Sequence, residues 1–198
     1  MPDQNPRRTV RLTDPRALRA YAHPTRMTLV AQLRRNGPLT ATQAAEAIGE
    51  SVASCSFHLR QLAKYGLVEE AGGGRGREKP WQATAMFTSW DAAGADDPAA
   101  AAATEALQLA IAERYFELTA RWVQQQAAEA AEWRQAARFG DWLLYLTAAE
   151  VSELGAGMEE LVRPYLERLG DPSKRPADSR LVTLLNLAFP AQEKESGA

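Results

Sequence analysis

Residues 40–66, TATQAAEAIGESVASCSFHLRQLAKYG, decide how the rest of the chain is read. Thr40 with Gln43 three residues later is a capping-box pattern, so a helix is expected to begin just after Thr40. Ala44, Ala45, Ala47 and Ile48 give it a small-sided inner face, and Gly49 can take the positive φ that ends it. Ser51 then offers an oxygen to cap a second helix. From Val52 to Tyr65 there is no Gly or Pro, and Cys55, Leu59 and Leu62 recur at helical spacing as one buried stripe. The opposite face carries Val52, Ala53, Ser56, Phe57, Arg60 and Lys64. Small and hydroxylic residues near the helix start suit close approach to base edges, and cations further along suit phosphates. A solvated surface helix can share this pattern, so the stretch alone leaves both readings open.

Working outward, the flanks favour DNA. Asp14-Pro15 is a helix start, with Leu18 and Tyr21 facing inward until His23-Pro24 breaks the helix. A second helix is expected from Pro24 to about Arg35, burying Met27, Val30 and Leu33 or Leu29, and ended by Asn36-Gly37-Pro38. Beyond Gly66, Leu67–Glu70 reads as a strand, AGGGRGREKP as a Gly-rich tip and Trp81–Thr84 as the return strand. That hairpin carries Arg75, Arg77 and Lys79. Residues 1–13 read as a basic arm with a short strand at Thr9–Leu12. Two helices, a helix-turn-helix and a basic hairpin, in that order, predict a winged helix over 14–87.

Residues 14–85 resemble the ArsR-type winged-helix transcription regulators. The similarity rests on ALRAYAHPTRMTLVAQL at 17–33, on the Ser-x-x-Ser-x-Ser-x-His-Leu-x-x-Leu spacing of Ser51–Leu62, and on the Gly66-Leu67-Val68 that follows. The resemblance implies a homodimer on a near-palindromic double-stranded DNA operator, with recognition helices in successive major grooves and wings along the backbone or minor groove. Ser51, Val52, Ala53, Ser54, Ser56 and Phe57 would then meet base edges or nearby phosphates. Arg60, Lys64, Arg75, Arg77 and Lys79 would contact phosphates, and Thr40 and Gln43 would anchor the preceding helix. His58 matches a position that is His in many members, where a backbone or a phosphate bond is equally open. A repressor is expected in preference to an activator. The chain departs from the family's metal sensors, because Cys55 stands alone on the buried stripe. No metal and no cofactor are expected, and His23, in a break between helices, reads as a structural hydrogen-bonding group.

The second half reads differently. Residues 88–103 look like a linker of small and acidic residues that turns helical after Pro98. A helix over about 99–126 carries Leu107, Ile111, Leu118 and Trp122 on one side with Tyr115 and Phe116 flanking. Leu107, Ile111, Tyr115, Leu118 and Trp122 are the expected dimerisation surface, and packing within one subunit is the plainer alternative. Tyr115, Trp122 and Trp133 could instead line a pocket for a small-molecule effector. Arg138–Leu146 and Leu181–Phe189 read as apolar strands around a helix opened by a Thr147/Glu150 capping box, kinked or divided at Pro164. The expectation is an α+β, mostly helical chain: a winged helix, then at 104–190 a dimerisation and possible effector domain of long helix plus strand–helix–strand unit, and a loose tail at 191–198. This layout resembles larger ArsR-like regulators of the actinomycete type.

Charge and composition bound the function. Residues 1–90 hold 13 Lys/Arg against 7 Asp/Glu, net +6, whereas residues 91–198 hold 10 against 18, net −8. A basic first half beside an acidic second half fits nucleic-acid binding by the first. No apolar run approaches the ~20 residues of a membrane span, no secretory pattern opens the chain, and one cysteine suits a reducing cytoplasm. Gly-x-Ser-x-Gly and His-Glu-x-x-His motifs are missing, GGGRG at 72–76 lies on a hairpin, and Asp96-Asp97 and Glu159-Glu160 are adjacent pairs that diverge on a helix. An enzyme is therefore not expected. The competing reading is a winged helix that docks a protein partner and binds no specific DNA.

Overall fold

The computed structural model describes residues 9–72, 79–90 and 97–191, and the fold is α+β and mostly helical. The chain enters as β1 (Thr9–Leu12) and turns into α1 (Pro15–Tyr21), where Asp14 accepts from the Arg16 N–H at 2.8 Å and Pro15 supplies the pre-set φ of a first helical residue. α2 (Pro24–Asn36) follows without a side-chain cap from His23. α3 (Ala41–Ile48) and α4 (Val52–Lys64) meet at Gly49, whose φ of 72° is the left-handed turn that lets the chain reverse so tightly. β2 (Val68–Glu70) and β3 (Trp81–Ala83) pair antiparallel, with Val68 opposite Ala83, and Leu39 exchanges two backbone bonds with Trp81.

The core sits under α4. Leu29, Val30, Cys55, Leu59, Leu62, Leu67 and Val68 are all at most 1% exposed, and Leu18, Tyr21, Met27, Leu33, Ala44 and Ala45 complete the cluster. Each large side chain buried this way contributes roughly 1.5–3 kcal/mol. The inward positions predicted along α1, α2 and α4 are all buried, but Ala47 of α3 is exposed.

Residues expected as a linker belong partly to this domain. β4 (Phe87–Trp90) lies parallel to β1, with Thr9 opposite Phe87 and Leu12 opposite Trp90, and α5 (Pro98–Gln125) starts on an Asp97 cap. Arg34 clamps the approach to β4, donating from Nε to the Ala85 carbonyl at 2.9 Å and from its terminal nitrogen to Thr88 Oγ1 at 2.7 Å. Ala103, Thr104 and Leu107 are buried along α5, which is tied down by Arg19 to the Ala99 carbonyl and by Arg114 to Thr28. The linker expected at 88–103 is therefore corrected at 88–90, which belong to β4, while 91–96 lie outside the described residues. TSW was misread because its apolar residues are few, and a parallel partner far away in sequence leaves no local signal.

The C-terminal strands are also corrected. Residues 138–146 and 181–189 run without helix or strand, and Trp142, Leu143 and Tyr145 are more than 80% exposed. Apolar content alone does not make a strand when no edge lies within reach to accept its backbone bonds. α6 (Ala131–Ala136) precedes the first of them, and between the two α7 (Ala148–Gly170) opens on the predicted Thr147/Glu150 capping box. α7 continues through Pro164. The cost is the bond residue 164 would donate to the Glu160 carbonyl, and with both residues exposed water can supply that carbonyl's partner.

Candidate nucleic-acid interface

The two helix caps fix the geometry. Thr40 Oγ1 accepts from the Gln43 N–H at 3.2 Å while Gln43 Oε1 accepts from the Thr40 N–H at 2.9 Å, so both arms of the box are closed. Ser51 Oγ accepts from the Ser54 N–H at 3.1 Å. These acceptors are spent on the backbone, but the Thr40 and Ser51 hydroxyl protons and the Gln43 amide protons remain able to donate to a phosphate.

With Cys55, Leu59 and Leu62 pinned in the core, the other side of α4 stands in solvent. Ser51, Val52, Ala53, Phe57, Arg60 and Lys64 are exposed, with Val52 at 46% and Phe57 at 50%, and Ser54 and Ser56 are half-buried. The start of α3, this face of α4 and the base of the hairpin open onto one groove of about 350 Å³, lined by Thr40, Thr42, Ser56, Arg60, Lys79 and Trp81 among others. Four positions expected to contact DNA, from three separate elements, thus converge. Lys79 is held by Glu70 at 2.7 Å, an exposed pair across the hairpin. Arg75 and Arg77 lie outside the described residues.

His58 does not share this face. Its ring lies 4.6 Å from that of His23, between α4 and the start of α2, and edge-on to Phe57 at 5.2 Å. Among the described residues the Nδ1 atoms of both histidines and Nε of Arg26 are buried without hydrogen-bond partners. Burial holds both imidazoles below their ordinary range, helped by Arg26 and, for His58, by the neighbouring ring. Cys55 is a buried free thiol whose pKa burial pushes up, with Glu50 adding to the shift, the opposite of a reactive thiolate.

The expected dimerisation positions divide. Leu107 is fully buried in its own subunit and has no surface left to offer, and Ile111 is packed against the same core. Tyr115, Leu118 and Trp122 are half-exposed, while the fully outward apolar positions of α5 are Leu109, Phe116 and Val123, seven residues apart. The apolar stripe is wide enough that one side of α5 packs on its own core while another stands exposed, and periodicity alone does not say which side faces home. Trp133 carries Arg180 over its ring at 5.0 Å, and Arg180 grips Glu129 through two bonds of 2.7 and 3.0 Å. Thr42, Trp81 and Arg34 were not singled out from sequence. A first-turn position beside Thr40 could have found Thr42, but Trp81 and Arg34 depend on contacts between distant segments.

A capped α3, a glycine turn, an α4 with one face in the core and one in solvent, and an antiparallel hairpin behind it define a winged helix-turn-helix. Residues 21–71, from the last residue of α1 to just beyond β2, match a family described as a helix-turn-helix domain. A domain of this kind points to DNA binding in transcription regulation. No curated protein matches the chain. Among the described residues no helix is long and apolar enough to cross a membrane, and no group of His, Cys, Asp and Glu is arranged to hold a metal.

Proposed function

We propose that the protein is a sequence-specific, DNA-binding transcription regulator of the ArsR-like type, acting in the cytoplasm as a homodimeric repressor. The observation that carries this reading is the shared groove, where the N-terminus of α3, the outward face of α4 and the hairpin base meet around Thr40, Ser56, Arg60 and Lys79. In the proposed complex α4 enters the major groove. Val52, Ala53, Ser56 and Phe57 meet base edges, and Ser51 and Ser54 lie at the helix start, where backbone N–H groups favour a phosphate. Arg60, Lys64 and Lys79 neutralise phosphates, with Arg75 and Arg77 extending the wing's contact. Thr40 and Gln43 anchor α3 to the backbone. Tyr115, Leu118 and Trp122 along α5 contribute to the dimer, and the half of the chain beyond α5 is where a small-molecule effector would act.

Selection of bound duplexes from a random pool tests this. The expected product is a near-palindrome with half-sites about 10 bp apart or a multiple of that. Recovery of no sequence above bulk DNA at physiological salt would instead favour the protein-docking reading, for which the exposed Phe57 would be the anchor.

A further inference from the structure

The described apolar residues are sharply partitioned. Every buried hydrophobic lies at or before Leu107, whereas 17 of the 22 exposed large hydrophobics lie from Phe139 onward. At roughly 150–250 Å² per large side chain, the exposed part of those residues is on the order of 2,000 Å² per chain. That far exceeds the ~300–600 Å² patch a typical monomer shows, and it matches an obligate homodimer. None of the residues of α7 from 148 to 169 is buried, although an isolated helix in water is marginal. Among the described residues no backbone hydrogen bond holds 138–146 or 181–189.

The pattern on α7 names the occupant. Val151, Leu154, Met158, Leu161 and Tyr165 are spaced three, four, three and four residues apart, the spacing of a helix-pairing seam, and all are exposed. Charge runs along the helix. Residues 148–160 carry four carboxylates (Glu150, Glu153, Glu159, Glu160) and no cation, whereas 161–170 carry Arg163 and Arg168 against Glu167, and the turn after the helix adds Lys174 and Arg175 against Asp171. A parallel copy would set like charges side by side, and an antiparallel copy sets acidic against basic. The seam is also nearly symmetric about Met158, with Val151 and Tyr165 seven residues to either side and Leu154 and Leu161 four and three residues away. Gly155 and Gly157 sit near that midpoint with nothing within 4 Å of where a Cβ would stand, leaving room for close approach.

We propose that α7 pairs antiparallel with α7 of a second copy of this chain, on a two-fold axis at Met158, and that residues 138–146 and 181–189 complete their backbone bonds as strands across the same interface. Leu154 then faces Leu161 of the partner subunit, and Val151 faces the partner's Tyr165. This deepens the homodimer reading and assigns the half of the chain that α5 does not explain.

Single and paired cysteine variants of the full chain test it, with the buried Cys55 left in place. Under mild oxidation Met158→Cys is expected to form a disulfide-linked dimer. Val151→Cys alone is not, and Val151→Cys combined with Tyr165→Cys is. Light scattering at micromolar concentration should give the mass of a dimer, and Leu154→Glu with Leu161→Glu should reduce it to that of a monomer or give aggregates, while the winged helix keeps its unfolding transition. A dimeric mass that survives the double glutamate variant, or cross-linking by Val151→Cys alone, would overturn the antiparallel α7 interface while leaving dimerisation through α5 standing. A monomeric wild-type chain would overturn both.

Discussion

The two halves of this chain use similar amounts of apolar sequence to opposite ends. Through Leu107, leucines and valines are driven to near-zero exposure around α4 and the hairpin, and polar side chains such as Arg34 close the seams. Beyond α5, Leu143, Leu161, Leu184 and Phe189 are no less hydrophobic but stand more than 60% exposed. The difference lies in what surrounds them. In the first half the helices and the hairpin return on one another and supply mutual cover. In the second, among the described residues, one long helix and two extended stretches have no third layer, and the second copy proposed above would supply it. A helix can be written correctly in sequence, cap and all, and still be unable to stand alone.

Core truncation separates the halves most strongly. Leu59→Ala should lower the unfolding free energy of the winged helix by about 2–5 kcal/mol, measured by urea titration. Leu161→Ala should leave that transition unmoved and weaken self-association. Arg34→Met comes next. Losing two charge-assisted bonds at β4 should cost about 1.5–3 kcal/mol, and it should detach β1 and β4 first, visible as faster hydrogen exchange at residues 9–12 and 87–90. Equal protection before and after would contradict the clamp.

The helix caps give a smaller, paired test. Thr40→Ala removes an oxygen that caps a helix inside a cooperative core and should cost about 1 kcal/mol in global unfolding. Thr147→Ala removes the matching oxygen of α7 and should register only in the stability of the dimer. A similar loss in both, on dilute monomer, would mean α7 is packed on its own subunit.

Between pH 7 and 5 the side chains that ordinarily titrate are histidines, and both lie in the first half. His23 and His58 have folded pKa values below the ordinary 6.5, so the unfolded chain takes up protons first as pH falls. Their contribution to stability is full above 6.5 and is lost progressively below it, until the depressed folded values are passed. His58→Gln should flatten the decline of the winged-helix melting temperature between pH 7 and 5, while leaving α7-mediated association unchanged.

Much of the first half was legible because its signals are local. Thr40, Gln43, Gly49 and Ser51 each specify a backbone bond within three or four residues, and Cys55, Leu59 and Leu62 can only be a buried stripe if Arg60 and Lys64 are to face water. The outward face of α4 followed directly. What escaped was non-local. β4 is defined by a parallel partner near residue 10, Trp81 enters the groove through its bridge to Leu39, and His58 turns toward the ring of His23 just before α2. The apolar runs at 138–146 and 181–189 read as strands because hydrophobicity reports the need for burial and is silent about which chain provides it.

The most direct test of DNA reading by α4 is a binding titration of the full chain. It compares a duplex selected from the random pool with a scrambled duplex of equal length at about 0.15 M salt, where exposed charges are screened beyond ~8 Å. An affinity ratio of at least ~10³ is expected. Arg60→Ala should weaken both duplexes and lower the salt slope by about one, whereas Ser56→Ala should change the preference at one base pair. Equal affinity for the two duplexes would contradict DNA reading by α4.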